Sequence, residues 1–283
     1  MIVYWEDAAF RRLIRHRRQR DRTSAHDKAS VRAIERAPTI KRAPTIKRAC
    51  RFNQHFPSGI GGSVKEKTGK RIGMYLGVAS VFLLLFLIWT GMVCLYDVRP
   101  IGPEGSSVGF SHLNSFVQEK IGVHLIWYKI TNVLGWVIIL SGSSFAVLGA
   151  WQLITRKSLW KVDKEILFFG IVDILLGVLY VLFEKIVFNM RPVILDAEEG
   201  LEASYPSSHT LLSLAVLGCM MILLPRYIHA SQLLTGLEIV CVLLCGITIV
   251  GRILSGAHWA SDIVGSLLLS LAIILFYRGA IDI

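Results

Sequence analysis

Three short polar clusters lie between hydrophobic segments, and their residue types suit the binding and cleavage of a phosphate ester. They are Lys185 with Arg191-Pro192, then Pro206-Ser207-Ser208-His209, and then Arg252, His258 and Asp262. Each cluster places ionisable groups at the end of an apolar run, where charge is costly unless it has a function. Three cations and two histidines gathered in one place would form a phosphate site.

The third cluster pairs a histidine with a carboxylate. His258 and Asp262 are four residues apart, a spacing that puts both side chains on one face of a helix. A carboxylate bonded to one imidazole nitrogen raises the basicity of the other nitrogen, which can then act as a nucleophile. Arg252 lies six residues before His258 and can hold two phosphate oxygens. Taken alone, a His-x-x-x-Asp pair is more often structural.

The second cluster predicts the start of a helix. Ser207 or Ser208 can cap it, and unpaired N–H groups at a helix N-terminus attract an anion. His209 in the first turn could hand a proton to a leaving oxygen. Taken alone, His209 is more simply interpreted as a solvated histidine at the membrane interface.

The first cluster follows an apolar run directly. Pro192 stops the helix and would orient Arg191, which with Lys185 adds positive charge. The alternative is an ordinary interfacial charge pair, because Glu184 is adjacent to Lys185 and can form a local salt bridge. The acidic stretch that follows is interpreted as a solvated loop, and it contains Asp196, Glu198, Glu199 and Glu202.

Six apolar runs are each long enough to cross about 30 Å of hydrocarbon. They lie near residues 73–96, 131–154, 166–184, 210–225, 233–251 and 263–277. Lysines and arginines flank alternate ends of the runs, so one face collects positive charge and is predicted to be cytoplasmic. Both termini then lie inside, and all three clusters reach the external face. Long runs without alternation predict helices, so the fold class is an all-α membrane protein.

Between the first two spans, residues 97–130 contain apolar residues at helical spacing. They are Leu113, Phe116, Val117, Ile121, Leu125 and Tyr128. This pattern predicts an amphipathic helix that either lies on the outer leaflet or packs over the end of the bundle. Either arrangement would wall the site.

The chain is predicted to divide into a basic tail, 1–71, and a six-span domain, 72–283. It has 283 residues, 53% of them hydrophobic, and a net charge of +11. Residues 1–71 hold 19 Lys and Arg against 6 Asp and Glu, with a repeated Ala-Pro-Thr-Ile-Lys-Arg hexapeptide at 37–48. The tail is predicted to be disordered and cytoplasmic. Beside a first span, contact with anionic membrane lipid is favoured over nucleic-acid binding.

At this point the motifs resemble those of the type 2 phosphatidic acid phosphatase (PAP2) superfamily. Its signature runs Lys-x6-Arg-Pro, then Pro-Ser-Gly-His, then Ser-Arg-x5-His-x3-Asp. Here the third motif has Gly251 for the first serine, and the second has Ser208 for glycine. In the first motif Lys185 is one position too close to Arg191, and the family position falls on Glu184. The resemblance covers roughly residues 165–278.

The resemblance implies a six-helix bundle and a role for each matching residue. His258 would form a phosphohistidine, Asp262 would orient it, and His209 would protonate the leaving group. The phosphoryl oxygens would be held by Arg191, Arg252, Lys185, Ser207 and Ser208. The family generally needs no metal ion, and no further His, Cys or carboxylate set in the sequence suggests a metal or another cofactor.

The expected function is hydrolysis of a lipid phosphate or diphosphate at the outer face of a bacterial plasma membrane. Phosphatidate, phosphatidylglycerophosphate and undecaprenyl diphosphate are the candidates at the level of the family. A phosphotransfer role, or action on a soluble phosphate, would use the same site. The remaining alternative is a non-enzymatic anion-binding protein or transporter, for which Asp173 and Glu238 are the ionisable residues within spans.

Overall fold

The computed structural model describes residues 59–195 and 200–282, and side chains from Thr68 onward. Within those ranges the chain forms seven α-helices and no strands. They are α1 (Gly59–Leu95), α2 (Ser111–Ile121), α3 (Leu125–Arg156), α4 (Lys164–Lys185), α5 (Ser208–Leu223), α6 (Ser231–Leu254) and α7 (Ala260–Ala280). All but α2 are long and apolar enough to cross a membrane, which confirms the six predicted spans.

The N-terminal helix α1 begins at Gly59, so the predicted boundary between residues 71 and 72 falls inside a helix. The disorder expected of the tail concerns mostly residues outside the described ranges, and the division into tail and domain stays a prediction.

The helices α5 and α7 form the centre of the bundle. The share of buried residues in their apolar windows is 61% and 56%, whereas it is at most 22% in the other four spans. The first span packs along α7, where the Trp89 indole donates to the carbonyl of Ser261 at 3.0 Å. Gly279 admits this contact, because a Cβ there would lie 2.9 Å from Leu76. Two of the catalytic candidates, His209 and Asp262, lie in the first turns of these two enclosed helices.

The amphipathic helix α2 is shorter than predicted. It ends at Ile121, where Gly122 adopts a positive φ of 72°, and Leu125 and Tyr128 belong to α3 instead. Asn114 is buried and bonds to Ser261 at the start of α7. Leu113 and Phe116 face outward. The helix thus packs over the end of the bundle through Asn114 and presents Leu113 and Phe116 to the surroundings.

Opposite this end, the 157–163 connection and the last turns of α5 and α7 meet. Asp163 is the hub, because it accepts hydrogen bonds from Gln152 at 2.8 Å, Arg156 at 2.7 Å and Tyr227 at 2.9 Å. Arg226 forms an ion pair with Glu165 at 3.2 Å. The two ends of the bundle therefore differ: this one is tied by surface charges, and the other holds the three clusters.

Candidate active site

The turn between α6 and α7 places His258 inside the protein. Gly256 has a positive φ of 68°, and the Ser255 hydroxyl donates to the carbonyl of Arg252 and accepts from the N–H of Ala257. This compact turn directs the His258 ring into the bundle, where only 4% of the residue is exposed.

The two ring nitrogens of His258 have different environments. Nδ1 lies 2.9 Å from the carbonyl oxygen of Ser204. Because a carbonyl can only accept, Nδ1 must carry the proton, and the lone pair then resides on Nε2. Nε2 is buried and has no hydrogen-bond partner among the described residues. This is the nitrogen that a nucleophilic histidine needs to keep free.

Asp262 does not make the contact expected of it. Its Oδ2 atom lies 3.9 Å from His258 Nδ1 and instead accepts from the backbone N–H of Trp259 at 2.9 Å. The reason is that α7 begins at Ala260, so His258 lies before the helix. The rule that residues four apart share one helix face therefore does not apply to His258 and Asp262. Asp262 fixes the start of α7, and the Ser204 carbonyl holds the imidazole.

The pKa of His258 lies well below its ordinary value of 6.5. Burial is the largest cause, followed by the positive charges of Arg252 and Arg191. His258 is therefore neutral at ordinary pH, as nucleophilic attack requires.

His209 lies in the first turn of α5, as the second cluster predicts. Its Nδ1 accepts a hydrogen bond from Nη2 of Arg252, so the proton of the neutral ring belongs on Nε2. The ring packs against α3 at Gly135, where a Cβ would lie 2.9 Å from His209 Cδ2. Nε2 is therefore the atom from which His209 would donate a proton as a general acid, once the ring is protonated on both nitrogens.

Arg252 is almost wholly buried, and residues of the second span hold its guanidinium. Nη1 donates to Thr131 Oγ1 at 3.3 Å and to Asn132 Oδ1 at 3.2 Å, and the group lies over the ring of Tyr128. The Nε atom has no partner within the described part of the chain. Sequence reasoning missed these contacts, although a Thr-Asn pair inside an apolar run was a signal.

The same contact explains a departure from the PAP2 signature. Gly251 stands where the signature has serine, and a Cβ there would lie 2.6 Å from Thr131 Cγ2 and 3.1 Å from Trp127. The helices α3 and α6 therefore approach each other too closely for a serine. This close approach brings the polar residues of α3 to Arg252.

Arg191 enters the site from the connection between α4 and α5. Met190 and Ala203 form an isolated antiparallel bridge, and the Trp259 indole donates to the carbonyl of Met190 at 2.7 Å. The guanidinium pairs with Glu202 at 2.7 Å, so the interpretation of Glu202 as a solvated loop residue is wrong. Arg191 Nε is buried without a partner among the residues described.

The two serines of the second cluster lie at the start of α5. Ser207 is the N-cap residue, but its hydroxyl donates to Thr210 Oγ1 at 3.0 Å and makes no capping bond. Ser208 is the first helical residue and is half-buried. The N–H groups of the first turn therefore have no side-chain cap, which leaves this end of α5 suited to an anion.

Lys185 is not brought to the other candidates. It is the last residue of α4, is exposed, and makes no hydrogen bond or ion pair with any residue in the described ranges. Glu184 is also exposed and forms no salt bridge with Lys185 there. The structure thus unites Arg191, His209, Arg252, His258 and Asp262 but not Lys185.

Within the described ranges, four buried nitrogen atoms of the site have no hydrogen-bond partner: Arg191 Nε and Nη1, Arg252 Nε and His258 Nε2. Of these, Arg191 Nη1 is ion-paired with Glu202. The arginine atoms are cationic donors and His258 Nε2 holds a lone pair, a set that suits a phosphoryl group. No group of three or more His, Cys, Asp or Glu is placed to hold a metal ion within 59–195 and 200–282.

Comparison with known proteins gives one match to a family. Residues 165–281 match the model of the PAP2 superfamily, a range that contains all three clusters. The second-span residues that hold Arg252 lie outside the PAP2 match.

A solved structure is also similar to the chain: the crystal structure of the first transmembrane PAP2 type phosphatidylglycerolphosphate phosphatase from Bacillus subtilis. The sequences are 17% identical and the TM-score is 0.46, over 71% of this chain and 93% of that chain. No curated protein matches the chain. The six apolar spans and the PAP2 match identify a multi-pass membrane protein.

Proposed function

We propose that the protein is an integral membrane phosphatase that hydrolyses a lipid phosphate or diphosphate through a phosphohistidine at His258. The observation that supports this proposal most is that the two ring nitrogens of His258 have different environments. Nδ1 is bound to a carbonyl, and Nε2 is buried, unpartnered and neighboured by cations. A structural histidine would be expected to use both nitrogens, because an unpaired buried polar atom is destabilising.

In the first step, the Nε2 lone pair of His258 attacks phosphorus, and the bond from phosphorus to the leaving oxygen breaks. His209 acts as the imidazolium, which forms when the phosphate anion takes over the Arg252 N–H group and His209 Nδ1 gains a proton from solvent; it donates its Nε2 proton to that oxygen and becomes a neutral imidazole. Arg191 and Arg252 offer N–H groups to the non-bridging oxygens, where negative charge has to be held. The phosphorylated imidazole is a cation, and the Asp262 carboxylate lies 3.9 Å from its Nδ1. This carboxylate stabilises the charge that develops on the ring.

In the second step, water attacks phosphorus and the bond between Nε2 and phosphorus breaks. His209, which lost its proton in the first step, accepts one from the water. Phosphate leaves, and both histidines return to their starting protonation states.

We infer a lipid substrate from the position of the candidate site at the ends of the membrane spans. A head group can enter there while its acyl or prenyl chains stay beside apolar helices. We place this end on the external side of a bacterial plasma membrane with both termini inside, because positive flanks mark the opposite end. Labelling by a membrane-impermeant thiol reagent tests this in a cysteine-free background. Lys185→Cys should react in intact cells, and Lys157→Cys only after lysis; the reverse pattern overturns the topology.

Purified protein assayed against a panel tests the function. The panel contains phosphatidate, phosphatidylglycerophosphate, undecaprenyl diphosphate and a water-soluble phosphate ester, with phosphate release as the readout. Wild-type protein should hydrolyse at least one lipid in preference to the soluble ester, and His258→Ala should be inactive. Phosphate binding without turnover of any substrate would favour the anion-binding alternative.

The division into a tail and a catalytic domain is likewise a proposal. Removal of residues 1–58 leaves the whole of α1 and should leave turnover unchanged. Loss of turnover in correctly inserted protein would assign the tail a part in catalysis.

A further inference from the structure

A buried group of amide and hydroxyl side chains surrounds Asp262, and the PAP2 signature does not include it. Asn189 comes from the connection between α4 and α5, and Asn114 comes from α2. Ser261 belongs to α7 and accepts a hydrogen bond from Asn114 Nδ2 at 2.9 Å. Asn189 and Asn114 are each 1% exposed, and Ser261 is fully buried.

The side chain of Asn189 joins two segments of the chain. Its Nδ2 donates to Asp262 Oδ1 at 3.2 Å, and its Oδ1 accepts from the N–H of Gly109 at 3.2 Å. Asn189 is therefore a neutral donor to a buried carboxylate. Buried charge is costly unless such partners are present.

The backbone of Asn189 is tied to the residue that orients the nucleophile. Its carbonyl accepts from the N–H of Ser204 at 2.9 Å and from the Ser204 hydroxyl at 3.2 Å. The carbonyl of Ser204 in turn accepts from His258 Nδ1. Asn189 thus bonds to Asp262 through its side chain and to Ser204 through its main chain, and the carbonyl of Ser204 holds His258.

We infer that Asn189 is a positioning residue, which fixes the tautomer and the orientation of His258 by anchoring the Ser204 carbonyl to Asp262. The inference rests on the proposed role of His258 as nucleophile. Asn189 need not touch the substrate, since its polar atoms are already bonded within the protein. If its side chain is removed, Asp262 loses a donor, and the carbonyl of residue 189, to which Ser204 is bonded, is no longer held against Asp262 and Gly109.

Loss of the Asn189 side chain should change the balance between the two tautomers of the His258 imidazole. Without a fixed carbonyl at Nδ1, the proton can move to Nε2, where it removes the lone pair that attacks phosphorus. The partners that orient metal-bound imidazoles typically contribute about 10- to 100-fold to metal affinity or activity, and we expect a contribution of the same size here. We expect Asn189→Ala to lower kcat by that factor with KM unchanged.

The decisive experiment reads the tautomer itself. Protein labelled with 15N-histidine in detergent micelles gives the protonation state of each ring nitrogen, and the His258 signals are identified by their loss in His258→Gln. Wild type should show His258 protonated on Nδ1, whereas Asn189→Ala and the milder Asn189→Ser should show a mixture or the opposite tautomer. An unchanged His258 spectrum in both variants would overturn the inference.

Gln152→Ala is the matched control. Gln152 is also a buried amide that makes two side-chain hydrogen bonds, but it bonds to Asp163 at the other end of α3. It should lower thermal stability and leave both the His258 spectrum and kcat as in wild type. If Gln152→Ala disturbs His258 as strongly as the Asn189 variants do, Asn189 has only a general structural role. The tautomer is measured without turnover, so failure of the proposed function would leave this test intact.

Discussion

His258 donates its Nδ1 proton to the main-chain carbonyl of Ser204, at 2.9 Å, and not to the nearby carboxylate of Asp262. The bond joins residues 54 positions apart and fixes the orientation of the ring from a distant segment of the chain. It leaves the lone pair on Nε2, the atom that acts as nucleophile in the proposed mechanism. The account of catalysis therefore depends on a loop carbonyl as much as on the residues of the PAP2 motifs.

The low pKa of His258 predicts the pH dependence of the reaction. Attack requires the neutral imidazole, so activity falls as the pH drops through the pKa of His258. Because burial, Arg252 and Arg191 lower that pKa, the acid limb of kcat/KM should lie below pH 6.5. Replacement of Arg191 by Ala removes one positive neighbour and should shift the limb to higher pH. A limb that stays in place in Arg191→Ala would contradict this electrostatic account.

Gly251→Ser, which restores the residue of the PAP2 signature, should impair this protein. The added Cβ would lie 2.6 Å from Thr131, so α3 has to move away from α6 and from Arg252. Overpacking of this kind typically costs about 1–3 kcal/mol of stability. The measurements are thermal unfolding and kcat/KM in detergent. A variant as stable and active as wild type would show that the close approach of the two helices is not required.

Gly135→Ala should disturb His209. Its Cβ would lie 2.9 Å from the imidazole Cδ2, so the ring has to turn and weaken its contact with Arg252. We expect kcat to fall by about 100-fold, the lower end of the range for general acid catalysis. Gly170→Ala on α4 is the control, because nothing lies within 4 Å of a Cβ there. Equal effects of the two substitutions would rule out a specific role for the contact.

The two cations of the first cluster should differ in importance. Arg191→Ala removes a buried donor and should lower kcat/KM on the order of 100-fold, the size found when one oxyanion-binding donor is lost. Lys185 is exposed, so Lys185→Ala should change kcat/KM by no more than about fivefold, equivalent to about 1 kcal/mol. Parallel assays of both variants decide between them. A large loss in Lys185→Ala would restore the lysine to the substrate site.

The hub at Asp163 should stabilise the protein in a pH-dependent way. Its hydrogen bonds with Arg156, Gln152 and Tyr227 lower its pKa, the bond from Arg156 being the largest cause. The stabilisation is present above the unfolded pKa, about 3.9, and is lost as the pH falls through the lower folded value. Asp163→Asn should thus lower stability by about 1 kcal/mol at pH 7, allowing for partial exposure. The melting-temperature difference from wild type should shrink toward pH 3; a constant difference would exclude the charge as its cause.

The spans were predictable because their hydrophobic length alone determines them. Each predicted run lies within an α-helix of the structure or extends one or two residues past its end, as at residue 96 and at residues 224–225. The helix that begins after Pro206 also appears as predicted. The amphipathic pattern of residues 113–128 was misleading because it continues across Gly122, where the chain turns. The spacing of apolar residues does not show where a helix ends and the next one begins.

The motifs likewise predicted which residues gather but not how they bond. The partner of His258 is a main-chain carbonyl, and any residue type supplies one. Arg252 reaches Thr131 across 121 positions, a distance in sequence over which spacing is uninformative. Asn189 lies only two residues before Arg191 within the first motif, yet its importance follows from contacts with Gly109 and Asp262.

Trapping of the phosphoenzyme tests the central claim most directly. The protein is mixed with a lipid phosphate that it hydrolyses in the panel assay, and the reaction is stopped with base, in which phosphohistidine is stable. The phosphorylated peptide is then identified by mass spectrometry. The account predicts phosphate on His258 in wild type and its accumulation in His209→Ala when the leaving group is a good one, since water attack then lacks a base. Phosphate on another residue, or full turnover by His258→Ala, would contradict it.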